Sequence, residues 1–204
     1  PEMTPTEPRL QATLDAAINH IRRTLTEVAG RVSEQLGAMA HSSGRIADRD
    51  LLTSTQFDLR RNAGVLHKAF ADELNQRVSR ELVPREDSRR TLAMTDWQAL
   101  SLVDDSEMEE RMFSDRIGQQ ISHACESELR ELAAYMGSLL QIGRADQDRN
   151  PLRAEVLGAA LYHAIEAVAS EPESRKLLAR ELGSAMAAAM AECYGKILRE
   201  LQSG

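Results

Sequence analysis

A chain of 204 residues that is 42% hydrophobic, 28% charged and only 3% aromatic is long enough to bury a sizeable core, as one domain or two closely packed halves. Its 11 glycines and 6 prolines are spread thinly through a sequence rich in Ala, Leu, Arg and Glu, which favours helices and excludes an all-β sandwich or barrel. The net charge of −7 is concentrated, because residues 91–150 carry 12 acidic against 5 basic side chains while residues 41–90 carry 10 basic against 8 acidic. Nucleic acid is therefore an unsuitable partner, and proteins or basic surfaces suit the chain better.

In chain order, Leu14, Ile18, Ile21, Leu25, Val28, Val32, Leu36 and Met39 step by fours and threes, which predicts one long helix from about Pro8 to Ala40 with a bundle-like seam. The run His41 to Asp48, with Ser42, Ser43 and Gly44, breaks that pattern and offers Asp48 or Asp50 as the next cap. A second stripe follows through Leu52, Leu59, Leu66, Phe70, Leu74, Val78 and Leu82 and stops at Pro84. Arg85 to Arg90 then form a charged connector. The third helix is predicted to start at Asp104, with Glu107 three positions on as a capping-box variant, and to bury Met108, Met112, Ile117, Ile121, Cys125, Leu129, Leu132, Met136 and Leu139. Asn150 and Pro151 signal a fourth helix reaching Ala169, and Pro172 opens a fifth that runs to about Leu201. Its alanines, Ala185, Ala187, Ala188, Ala189 and Ala191, would let another helix come close. The expected fold is an all-α antiparallel bundle of about five helices: residues 1–90 form a helical hairpin and 91–204 a bundle packed with it as one domain.

Cys125 and Cys193 are far apart and in no metal-like spacing, so a reducing, cytoplasmic compartment fits best. No apolar run approaches the roughly 20 residues of a membrane span, and the polar start from Pro1 to Pro8 lacks a secretory signal. Pro1 in place of an initiator Met suggests a piece of something longer.

Trp97 with Leu100, Ser101, Leu102, Val103, Asp104, Asp105, Glu107, Glu109 and Glu110, followed by Asn150, Pro151, Leu152 and Arg153, resembles a large uncharacterised proteobacterial family of long proteins often labelled "thymidine phosphorylase". Phe57, Asp58, Leu59, Arg60 and Phe70 are similar to that family's upstream helix, so the resemblance covers most of residues 50–200. It implies the N-terminal helical part of a regulatory protein whose longer members end in a region like the small β-barrel that binds cyclic di-GMP. No catalytic residue comes with it.

Phosphorolysis needs a phosphate cradle at a helix start and cations on a rigid scaffold. Here the glycines are single and dispersed, and neither a Walker-type run nor a nucleophile elbow occurs, so the chain reads as non-enzymatic and free of cofactors. The acids Asp104, Asp105, Glu107, Glu109 and Glu110 lack the alternating ligands and central glycine of a calcium loop; helix capping is the simplest account, and docking of a basic partner the functional one. His163 and Glu166 share a helix face as metal pairs do, but no matching motif accompanies them, so no metal site is expected. Arg22 with Arg23, and Arg60 with Arg61, read as surface charges. Trp97 is either a core anchor or an interface hot spot, and the methionines are either core filler or an adaptable groove.

The function expected is a helical interaction module that docks a protein partner or forms a homodimer through Asp104, Asp105, Glu107, Glu109, Glu110 and Trp97. The alternative is a ligand-responsive module in which a nucleotide second messenger such as cyclic di-GMP meets Arg85, Arg89 and Arg90, whose spacing suits gripping of phosphate and guanine.

Overall fold

The stripe of the first segment becomes the spine of the molecule: Leu14, Ile18, Ile21, Leu25, Val28, Val32 and Leu36 are all buried along a single helix, α1 (Thr6–Ser42). The computed structural model describes residues 6–82, 104–143 and 145–204. After α1 come α2 (Ile46–Arg61), α3 (Ala63–Leu82), α4 (Asp105–Ala124), α5 (Glu126–Leu139), a 3-10 turn (Gln147–Arg149), α6 (Ala154–Val168) and α7 (Pro172–Ser203), with no strand among the described residues.

These seven helices make five rods, because two rods are each interrupted by one residue. Asn62 separates α2 from α3, yet its N–H still reaches Asp58 O and its carbonyl accepts from Leu66 N, both at 2.9 Å. The seven-residue step from Leu59 to Leu66 therefore keeps both on the buried side. Cys125 divides α4 from α5 in the same manner, bonded to Ile121 O and Leu129 N at 2.9 Å.

The chain departs from its sequence reading at two helix starts and on one helix face. α2 begins at Ile46, so Asp48 lies in its first turn and caps nothing. α6 begins at Ala154 rather than at Pro151, because Asn150 uses its side chain on Leu152 N at 3.0 Å and closes a turn before the helix. On α4, Met108 and Met112 are not core: they are 60% and 51% exposed, and Phe113, Ile117 and Ile121 face inward instead. The step from Met112 to Ile117 is five residues, a rotation of about 140° from one to the other, which puts the methionines on the opposite face.

α1 pairs antiparallel with the α2–α3 rod and with α7. Ser33 of α1 meets Gln56 and Arg60 of α2, its backbone carbonyl accepting from Gln56 Nε2 at 2.9 Å and its hydroxyl from Arg60 Nε at 3.0 Å. Arg60 is thus a strut between helices rather than a free surface charge. At its other side α1 lies along α7, where His20 and Glu200 approach to 2.7 Å. α6 is buried almost all round, through Val156, Leu157, Ala160, Leu161, Tyr162, Ala164 and Ile165, and runs between α3, α4 and α7. It crosses α4 at glycines: a methyl added to Gly158 would stand 2.6 Å from Ser114 O and 2.8 Å from Gly118 N. Further along, Phe113 stacks on Tyr162 with centroids 5.5 Å apart.

The tetrapeptide ahead of α6 is tied from three sides. Asn150 is buried, and Tyr194, wholly buried on α7, donates its hydroxyl to Leu152 O at 2.7 Å. Arg153 reaches back to Asn150 O at 3.1 Å and across to Glu81 of α3 at 3.0 Å. Elsewhere a buried Thr55 hydroxyl donates to Ser174 Oγ at 3.0 Å, linking α2 to the start of α7.

Both cysteines are buried free thiols. Burial, with Glu128 and Cys193 adding, pushes the Cys125 thiol up to about 11. Burial also raises Cys193, Tyr162 and Tyr194. A folded-state value above the unfolded one gives stability that is complete below the unfolded value and lost as pH rises through the folded one. Thermal stability is therefore expected to hold up to about pH 8.5, the ordinary thiol value, and to fall toward pH 11. Iodoacetamide at pH 8 should leave Cys125 unmodified until the protein is unfolded, as mass spectrometry would read.

Candidate functional site

The acidic segment enters α4 through Asp104, whose backbone is extended at φ −60°, ψ 145°. Its carbonyl starts the helix, accepting from Glu107 N at 2.9 Å and Met108 N at 3.1 Å. The side chain of Asp104 caps no backbone N–H; it accepts from Ser106 Oγ at 3.2 Å. The capping box therefore does not form, although the position of the helix start and its acidic first turn are as the sequence indicates.

From there the acids divide. Asp104, Asp105 and Glu107 are exposed with Met108, whereas Glu109 and Glu110 are half-buried and turn toward the corner where α6 ends and α7 begins. In that corner burial raises the Glu166 carboxyl, Glu110 raises it further, and His163 and Arg175 oppose them. Tyr162 is raised first by burial and then by Glu166 and Glu109, against Arg175. Arg175 also anchors the turn, donating to Ser170 O at 2.5 Å. Glu109 and Glu110 thus help set the charge of an inner corner, and only the first three acids offer themselves to a partner.

The outward face carries Asp105, Met108, Met112, Asp115 and Gln119 at helical spacing, all exposed. Four exposed acids, Asp104, Asp105, Glu107 and Asp115, stand against the cations Arg111 and Arg116. Two flexible, polarisable side chains one turn apart are in this way ringed by a net negative border. The sequence singled out the acids and left the methionines between core filler and an adaptable groove; Met136 is core, whereas Met108 and Met112 lie at the surface beside the acids.

Trp97, Arg85, Arg89 and Arg90 lie outside the described residues. His163 stands 3.8 Å from Glu73 of α3. Among the described residues no three of His, Cys, Asp and Glu converge as a metal site would require. No helix among the described residues is long and apolar enough to cross a membrane. Of the five alanines from Ala185 to Ala191 on α7, Ala187 is buried, Ala188 exposed and Ala185, Ala189 and Ala191 half-buried, where α1 lies alongside.

A family model described as the N-terminal domain of a protein of unknown function (DUF1631) matches residues 6–203. No curated protein and no solved structure matches the chain.

Proposed function

The chain belongs to the DUF1631 N-terminal domain family, and from that premise and the geometry of α4 we propose that it is a non-enzymatic interaction module of a regulatory protein. Its docking face is the outward side of α4, and the occupant is a basic amphipathic helix of another protein. The observation that carries this reading is the exposure of Met108 and Met112 among Asp104, Asp105, Glu107 and Asp115, which outnumber the neighbouring cations Arg111 and Arg116. Large apolar side chains left in water are costly unless a partner covers them. Methionine adapts to the partner's shape, and the acidic border selects cations and speeds encounter.

A labelled synthetic helix with one leucine face and one lysine face, about 18 residues or five turns long, tests it by fluorescence anisotropy. The double variant M108E/M112E is expected to bind at least about tenfold more weakly, a loss of roughly 1.4 kcal/mol. Its melting temperature should be unchanged, because both positions face solvent. Equal affinity of variant and parent would overturn the docking face. Light scattering across a concentration series examines the other occupant: a dimer of the parent chain that M108E/M112E abolishes would assign the face to a second copy, and so contradict the partner helix.

A further inference from the structure

On the opposite hairpin, a second surface has the reverse chemistry. A groove of about 360 Å³ between α1 and α3 is lined by Asn19, Arg22, Arg23 and Thr26 from one helix and His67 and Phe70 from the other, with Leu25 at its base. Positions 19, 22, 23 and 26 recur at i, i+3, i+4 and i+7, so one face of α1 brings two guanidiniums, an amide and a hydroxyl to the same place. None of the lining residues is acidic. In a chain of net charge −7, adjacent arginines would ordinarily be paired, yet no carboxylate among the described residues bridges Arg22 or Arg23. The base is apolar, formed by Leu25 and Phe70, both almost wholly buried.

We propose that this groove binds a small phosphorylated molecule, with the phosphate held by Arg22 and Arg23. Guanidinium forks match phosphate oxygens in pairs, and Asn19 and His67 add neutral donors, while the Thr26 hydroxyl is spent on Arg22 O at 3.1 Å. Burial, and then the Arg22 charge, hold the His67 imidazole below its ordinary value. At neutral pH the ring is thus uncharged and offers one N–H, leaving charge recognition to the arginines. The volume admits a phosphate with a modest organic group. This site shares no residue with the α4 face, so the two proposals stand or fall separately.

The test is a titration of the whole chain with inorganic phosphate, followed by amide and imidazole NMR, at constant ionic strength set with chloride. Saturable shifts confined to Asn19, Arg22, Arg23, Thr26 and His67 are expected. The variant R22A/R23A should weaken the response at least tenfold with an unchanged melting temperature, since both arginines are exposed. R22K/R23K keeps the charge but loses the paired geometry, and it should bind more weakly than the parent and more tightly than the alanine variant. Shifts that chloride reproduces, or a phosphate response that survives R22A/R23A, would overturn the site.

Discussion

Gly158→Ala is expected to destabilise the bundle by about 3 kcal/mol, lowering the melting temperature by roughly 6–12 °C for a chain of this size. The new methyl would have to sit 2.6 Å from Ser114 O and 2.8 Å from Gly118 N. Both are backbone atoms of α4, so no side chain can swing aside, and the two helices must separate. Separation would spread, because α6 is also clamped by α3 and α7 and its core contacts, the Phe113–Tyr162 stack among them, depend on the same spacing. Gly30→Ala is the matching control. It lies exposed on α1 with nothing within 4 Å of the added methyl, so there the better helix propensity should stabilise by about 0.5–1 kcal/mol. Opposite signs from one chemical change, read by thermal denaturation, would establish that α4 and α6 meet backbone to backbone.

Tyr194→Phe should cost about 2 kcal/mol, or roughly 4–8 °C, although it removes a single oxygen. The hydroxyl donates to Leu152 O at 2.7 Å in a wholly buried place, and without it the carbonyl is left unsatisfied away from water. Asn150→Ala removes a second support of the same tetrapeptide, the 3.0 Å bond to Leu152 N. The two losses act on one structure, so the double variant should be less destabilised than the sum of the single ones, with a coupling of about 0.5 kcal/mol or more in a double-mutant cycle. Additive losses would mean that Asn150 and Tyr194 support the start of α6 independently.

These two sites also show where a sequence is readable. The α1 stripe and the run from Leu59 to Val78 keep steps of three, four and seven, and every one of those side chains is buried except Met39, which is half-buried. Periodicity reports burial directly when the phase is unbroken. It failed at Met112 to Ile117, where a step of five crosses to the far side of the helix, and that signal was present in the spacing. Asn150 and Pro151 announced a start, but whether the asparagine caps the helix or closes a turn ahead of it depends on Tyr194 and Glu81, which arrive from distant helices. The single-residue interruptions at Asn62 and Cys125 preserve register, so no pattern in the apolar positions reveals them.

The candidate sites divide along the same line. Asp104, Asp105 and Glu107 were legible as an acidic helix start, and their exposure follows from it. That Glu109 and Glu110 belong to an inner corner with Tyr162 and Glu166 is a tertiary fact, set by how α4 lies on α6. Arg22 and Arg23 read as surface charge because nothing in one helix tells which side chains a second helix, here α3 with His67, will add to them.

The most direct measurement of the docking claim is a methyl NMR titration of the eight methionines with the leucine- and lysine-faced helix. The Met108 and Met112 methyls should shift and saturate together, while Met136, Met186 and Met190, all buried, stay where they are. Raised salt should weaken the titration, because the border of the face is acidic. Binding that leaves the Met108 and Met112 methyls unmoved, or that a glutamate-faced helix reproduces, would contradict the account.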